Sequence, residues 1–267
     1  MEKTLAQALM SDRTPKFLAT LDAGGVPNIV PVISMRAADD ETLIFAEFMI
    51  WKTKKNLLEN PNVRVAVLSP ELSWWAIKGT FKGFETSGEH FEILSQQDMF
   101  RYNPYTGIRS AGVIQVEDVS EKHRLLNPAS VVELAAAMLR SRTALNSKGI
   151  MPPPVVEKFR RFKSAKALAV RGADGFPAAV ITSAMLPIGN SHLIVGTSYF
   201  PEEISLKRPI NAAACVITYD PVAYQVKGHL RRTPRIGNLQ LATMRVEEVY
   251  SASPPLPGKR IAQNSEQ

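Results

Sequence analysis

Lys16-Phe17-Leu18-Ala19, leading through Gly25-Val26-Pro27, returns later in the chain as Lys166-Ala167-Leu168-Ala169 leading through Gly175-Phe176-Pro177. The offset is 150, counted from Pro27 to Pro177. The same offset carries Met35 to Met185 and Leu43-Ile44-Phe45 to Leu193-Ile194-Val195. It then slips by one residue, so that Ile77-Lys78-Gly79 matches Val226-Lys227-Gly228. The copies close on Val116-Glu117-Asp118-Val119 and Val246-Glu247-Glu248-Val249. A period this long excludes a solenoid and indicates a duplicated domain. The reading divides the chain into a first barrel at 1–120, a helical and Pro-rich linker at 121–154, and a second, degenerate barrel at 155–267.

Within each copy the pattern is of short strands broken by glycine and proline turns. Phe17 to Leu21 reads as a strand and Asp22-Ala23-Gly24-Gly25 as a hairpin turn, where glycine supplies positive φ. Asn28 to Met35 is the return strand, interrupted at Pro31 as on an edge or at a bulge. Thr42 to Phe48, Val63 to Leu68, Trp74 to Phe84 and Val113 to Val119 complete the strands. Helices are expected at Leu5 to Met10, Thr53 to Asn60 and from Gly88 to about Met99, the last capped by Ser87. The second copy repeats the order, with strands at Ala178 to Met185, Leu193 to Thr197, Ala213 to Thr218 and Tyr224 to Arg231. Between the copies, Asn127 caps a helix with Pro128 in its first position. Met151-Pro152-Pro153-Pro154 reads as a stiff extended spacer, followed by a short amphipathic helix carrying Val155, Phe159 and Phe162. The tail after Ser251 reads as poorly ordered at its end. The fold class is therefore mainly β with peripheral helices: two small antiparallel barrels in tandem.

Composition removes several function classes. The 267 residues hold one cysteine, Cys215, inside an apolar run, so no disulfide forms within the chain. No signal peptide is legible at Met1-Glu2-Lys3-Thr4, and no apolar run nears the ~20 residues that span a bilayer. A cytoplasmic protein without membrane contact is the expectation. The net charge of +7 gathers partly at Arg140, Arg142, Lys158, Arg160, Arg161, Lys163 and Lys166. No aromatic interleaving or nucleic-acid module accompanies it, so it reads as a solvated surface rather than a nucleic-acid face. His90, His123, His192 and His229 lack metal-ligand spacing, and no metal site is expected. Nucleophile elbows, Walker loops and dinucleotide fingerprints are missing, and no catalytic residue is assigned.

One segment carries chemistry. In Leu43 to Leu57 a strand passes through a short turn into a helix whose first turn holds Lys52, Thr53 and Lys54. A helix N-terminus offers unpaired N–H groups and a positive dipole end, which suit a phosphate. Thr53 either caps the helix or gives its hydroxyl to a phosphate oxygen, while Lys52 and Lys54 neutralise charge. The alternative is an exposed helix start that is merely rich in lysine.

Phe17 to Asn28, Lys52-Thr53-Lys54-Lys55-Asn56-Leu57 with Asn60-Pro61, and Ile77-Lys78-Gly79 resemble the pyridoxamine 5′-phosphate oxidase-like FMN-binding split barrels, whose strands follow an antiparallel Greek key. The resemblance covers nearly all of 1–120 and, more faintly, 160–250. It implies FMN as cofactor, with the phosphate on Lys52, Thr53 and Lys54. It lays the ring along Val30, Pro31, Val32 and Ser34, with Ala46, Glu47 and Phe48 as a further wall. Trp74 falls where relatives place a residue near the ring, with Trp75 on the opposite face. For both tryptophans, packing in the core or a dimer interface is the other reading. In the second copy Glu202 and Glu203 fall at the places of Lys52 and Thr53, and two carboxylates repel a phosphate dianion. One flavin per chain, held by the first barrel, is expected.

The resemblance implies an FMN-dependent oxidoreductase, in which the flavin carries the chemistry between a donor such as NAD(P)H and a small-molecule acceptor. Arg101, Tyr102, Tyr105 and Arg109 fall where they can reach the pocket mouth. A flavin carrier without turnover, for storage, sensing or electron relay, is the alternative. A haem-binding split barrel is a third reading. By analogy with the family a homodimer is expected, while a pseudo-dimer of the two copies within one chain is equally compatible with the linker.

Overall fold

The computed structural model describes residues 1–48, 50–97, 100, 107–142, 149–201, 204, 206–220, 222–235, 239–254 and 256–263. Its first half contains β1 (Lys16–Leu21), β2 (Pro27–Pro31), β3 (Arg36–Ala37), β4 (Thr42–Ala46), β5 (Asn62–Leu68), β6 (Ser73–Glu85), β7 (Ala111–Val119) and β8 (His123–Arg124). They form one antiparallel sheet in the order β2-β1-β5-β6-β7-β4-β3, with β8 on β6. The second half contains β9 (Ala165–Arg171), β10 (Pro177–Ile181), β11 (Met185–Ile188), β12 (His192–Gly196), β13 (Ile210–Ile217), β14 (Ala223–Arg232), β15 (Leu241–Ser251) and β16 (Arg260–Gln263). Their order, β10-β9-β13-β14-β15-β12-β11 with β16 on β15, repeats the first strand for strand. Two curled sheets of the same topology make two tandem split barrels, as the repeat indicated.

The register repeats as closely as the order. Leu68 pairs with Trp74 in the first sheet and Ile217 with Ala223 in the second, both at an offset of 149. A β-bulge falls between Lys78 and Gly79 and again between Lys227 and Gly228. At each bulge the partner strand passes too close for a Cβ, which would meet the carbonyl of Gln115 or of Arg245. Glycine is required there because the extra residue bends the strand onto its neighbour.

Five helices flank the sheets among the described residues: α1 (Lys3–Met10), α2 (Trp51–Glu59), α3 (Glu89–Ser95), α4 (Pro128–Ser141) and α5 (Pro153–Arg160). The cap of α4 is as the sequence indicates, since Asn127 accepts from the Ser130 N–H and the Ser130 hydroxyl accepts from the Asn127 N–H, each at 2.8 Å. Other boundaries differ. The triproline is not a spacer: Pro152 is the N-cap of α5 and Pro153 opens it, because proline lacks only an N–H that the first turn leaves free. Helix α3 starts after Gly88 rather than on a Ser87 cap. The long return strands divide at Pro31 and Ile181. The tail re-enters the sheet as β16, where Val249 pairs with Ala262.

The barrels share a core. Phe17, Ala19, Ile29, Ala66, Leu68 and Trp74 of the first pack in one buried cluster with the interior of the second, while Leu18, Leu43, Phe45, Val65 and Trp75 fill the first barrel. The pairing between barrels is thus made inside one chain. No helix among the described residues is long and apolar enough to cross a membrane.

Candidate functional site

A cavity of about 500 Å³ opens between the two barrels. This is within the ~300–1,000 Å³ typical of small-molecule sites. Three stretches of the first barrel line it: Asn28 and Val30 of β2 with Pro31 to Ser34 after them; Ala46 and Phe48 at the end of β4; and Ile50 to Thr53 at the start of α2. The second barrel closes it with Ala223 and Gln225 of β14, Tyr250 and Ser251 of β15, and Pro254, Pro257 and Gly258 beyond β15.

Of the eleven residues singled out from the sequence, Val30, Pro31, Val32, Ser34, Ala46, Phe48, Lys52 and Thr53 line this cavity. Three do not. Glu47 follows Ala46 and so faces the other side of the chain, where it pairs with Lys54 and accepts from the Ser110 hydroxyl. Burial pushes the Glu47 carboxyl up, but the Lys54 and Ser110 hydrogen bonds outweigh it and hold the group below the usual range. Lys54 is turned by the helix away from the cavity and stands over the Phe84 ring. Trp74 is also outside, for a reason given below.

The corner itself is built differently from the expected cap. Helix α2 begins at Trp51, two residues earlier than expected, with Ile50 as N-cap and no side-chain cap. Thr53 is therefore in the first turn, not ahead of it. The first free backbone bond is made by Lys54 N–H to Ile50 O at 2.7 Å, so the N–H groups of Trp51, Lys52 and Thr53 have no intrahelical partner. Thr53 is buried, and its Oγ accepts from Asn28 Nδ2 at 3.2 Å. Asn28 Oδ1 in turn accepts from Gln225 Nε2 at 3.1 Å, across the barrel boundary. The amide chain uses Thr53 as an acceptor and leaves its hydroxyl proton free to donate. Ser34 is held likewise, accepting from Ala46 N–H at 3.1 Å.

Lys52 places its Nζ 3.4 Å from the Tyr250 hydroxyl and 4.5 Å from that ring's centroid. Tyr250 donates to Glu248 Oε2 at 2.8 Å, and burial followed by this carboxylate pushes the phenol up to about 12. Tyr250, Gln225 and Ala223 are site residues that sequence reasoning missed, because it treated the second barrel as scaffold. At the mouth, Arg109 stacks on Trp51 at 4.4 Å. Arg101, Tyr102 and Tyr105 lie outside the described residues, as do Glu202 and Glu203 of the second corner.

The equivalent place in the other half is occupied by an indole. Trp74 stands where the repeat puts Ala223, since each is the first-barrel or second-barrel partner of Leu68 or Ile217. Its indole is 2% exposed, stacks on His123 at 4.5 Å and meets Tyr199 edge-on at 5.5 Å. Tyr199 donates its hydroxyl to the Arg124 carbonyl, tying down the chain beside His123. No helix occurs among the described residues between β12 and β13, where the first half has α2. The one-residue slip in the repeat falls in this interval. There, Glu133 of α4 accepts from Thr197 N–H at 2.7 Å, Ser198 N–H at 2.8 Å and the Ser198 hydroxyl at 2.7 Å. A buried carboxylate from the linker thus takes the Thr197 and Ser198 donors of the second corner.

Comparison with known proteins identifies the family through one family model. Residues 3–140 match the family model described as pyridoxamine 5′-phosphate oxidase. An uncharacterized protein of Methanocaldococcus jannaschii is 29% identical over 105 residues, covering 39% of this chain and 69% of that protein. The crystal structure of HupZ from Group A Streptococcus is 27% identical, covers 45% of this chain and 91% of HupZ, and has a TM-score of 0.38. An FMN-binding protein from Syntrophomonas wolfei is 19% identical, covers 47% and 85% of the two chains, and has a TM-score of 0.39.

Proposed function

This chain belongs to the pyridoxamine 5′-phosphate oxidase family, and from that premise we propose that it binds one FMN in the cavity between its own two barrels. The observation that carries the reading is the pairing of two unlike ends in one cavity. At one end are the uncapped start of α2, Lys52 and the Thr53 hydroxyl. Along the rest run apolar walls, Val30 to Ile33 on one side and Ala223, Ala252 and Pro254 on the other. A phosphate ester suits the first end, since helix N–H groups, an ammonium and a hydroxyl donor all favour a dianion. A flat, largely apolar ring suits the second.

The bound flavin supplies hydride and electron chemistry; the protein supplies its place and surroundings. Lys52 and Thr53 hold the phosphate, while the β2 edge and Tyr250 wall the ring. Ser34, fixed through Ala46, keeps a hydroxyl proton for a polar atom of the ring system. The proposed activity is an FMN-dependent oxidoreductase that passes hydride or electrons to a small-molecule acceptor. A non-catalytic carrier is favoured by one observation: the titratable side chains among the described lining are Lys52, Asp220 and Tyr250, and no histidine joins them. A homodimer, which we propose from the family, adds nothing that this site needs.

The visible spectrum of the purified protein tests cofactor binding, with FMN reconstitution where the protein is colourless. A flavin spectrum supports the proposal, and a colourless protein that takes up no FMN refutes it. NAD(P)H consumption with generic acceptors then separates enzyme from carrier.

A further inference from the structure

Lys227 lies just before the bulge of β14 and, like its repeat counterpart Lys78, reaches across to the hairpin of the other barrel. The two lysines meet different partners. Lys78 forms an ion pair with Asp174 at 2.8 Å and stands 3.9 Å over the Phe176 ring. The residue matching Asp174 in the first hairpin is Gly24. Lys227 therefore has no carboxylate there and donates to the Pro27 carbonyl at 2.7 Å.

Its surroundings are otherwise fixed. From α2 comes Lys52, whose ammonium stands beside that of Lys227. Glu248, opposite on β15, is already bonded by Tyr250 and Arg260. Asp22, in the hairpin, spends an oxygen on the Val26 N–H. Lys227, 5% exposed, is not itself on the cavity lining but stands behind Lys52, which is, and neither lysine forms an ion pair among the described residues. Glu248 and Asp22 offset this charge only in part and are both engaged elsewhere, so a further anion at the corner is favoured.

We propose that Lys227 is a positioning residue of the phosphate subsite, whose charge behind Lys52 makes the corner select a dianionic phosphate ester over a neutral analogue. The proposal rests on the flavin reading and deepens it, since it brings the second barrel into cofactor recognition. Burial, and then Lys52, hold the Lys227 ammonium down to about 7. A group lowered in this way gives up its proton as pH rises through 7, and a bound dianion draws the proton back. Binding then takes up a proton above pH 7, and affinity falls as pH rises there, by up to about tenfold per unit. A phosphate monoester, with its second pKa near ~6, keeps constant charge in that window.

The test is titration of the full-length apoprotein with FMN and with riboflavin between pH 7 and 9, for wild type, Lys227→Met and Lys227→Arg. The wild type is expected to prefer FMN, with a preference that declines as pH rises. Lys227→Met loses about tenfold or more of that preference at pH 7, together with its pH slope, and keeps its riboflavin affinity. Lys227→Arg keeps the preference and loses the slope, because guanidinium does not titrate. An equal loss of both ligands in Lys227→Met would mark a structural lysine and overturn the proposal, as would an unchanged slope in either variant. Should Lys227→Met not fold, the slope of Lys227→Arg decides. A wild type that binds neither flavin overturns the flavin reading and this proposal together. One that binds both alike overturns only this.

Discussion

Replacing Glu133 by alanine tests whether the linker carboxylate holds the second barrel's corner. Glu133 is 4% exposed and accepts three hydrogen bonds, from Thr197 N–H, Ser198 N–H and the Ser198 hydroxyl. A hydrogen bond to a charged group contributes about 1.5–3 kcal/mol net, which sets an upper figure of about 4.5–9 kcal/mol for the three. Ser198 is exposed, so water replaces the carboxylate on its two donors once the side chain is gone. Thr197 is only half-exposed, and its N–H bears most of the loss. The expected destabilisation of Glu133→Ala is thus about 2–4 kcal/mol, or a fall in Tm of about 5–15 °C. Leu134 and Ala137 still pack α4 against Ala184, Leu186 and Ile194, so the helix stays docked. Glu133→Gln keeps one acceptor oxygen and should recover about half of the loss. Thermal and urea unfolding followed by circular dichroism give both numbers, and FMN affinity should not change in either variant. A Glu133→Ala protein within about 0.5 kcal/mol of wild type would refute the reasoning, since surface substitutions alone reach that level.

Lys52→Met should weaken FMN about 10–100-fold by removing one charge-assisted contact, while riboflavin binds as before; fluorescence titration reads both. Ala223→Trp copies into the first cavity the indole that fills its counterpart. It should abolish flavin uptake at a folding cost of about 1–3 kcal/mol, with absorbance reporting the flavin and circular dichroism the fold. Trp74→Ala empties the counterpart and should cost about 3–5 kcal/mol in urea unfolding, yet flavin per chain should stay the same, because Glu133 already takes the Thr197 and Ser198 donors on that side.

Much of the fold was legible because it rests on local rules repeated at a fixed offset. The hairpins at Gly25 and Gly175 need positive φ, which is 77° and 82° in the structure, and both sequences place glycine there. That the two sheets share one strand order followed from matching the two copies, while the order itself is read from the structure. Boundaries were less legible: Phe48 continues the apolar pattern of β4, but Phe48 N–H bonds back to Ala46 O and the strand is over. Lys52 and Thr53 line the cavity because the helix start and the cavity wall coincide there. Lys54 and Glu47 fall off the cavity lining together, since neighbouring residues point to different sides and the sequence alone does not say which side holds the cavity. Trp74 shows the deeper limit. Its role depends on which of two equivalent cavities survives, and that is decided by His123 and Tyr199, residues 49 and 125 positions away. The signal was present: aligning the copies puts alanine at 223 against tryptophan at 74, a difference of volume as telling as the difference of charge at the corner.

The central claim is that one chain makes one flavin site from both of its barrels. The most direct measurement is flavin bound per chain, from absorbance of the reconstituted protein against its concentration. The account predicts a value near one. A value near two would show that the filled counterpart opens to a second cofactor, and a value near zero would show that the cavity is not a flavin site.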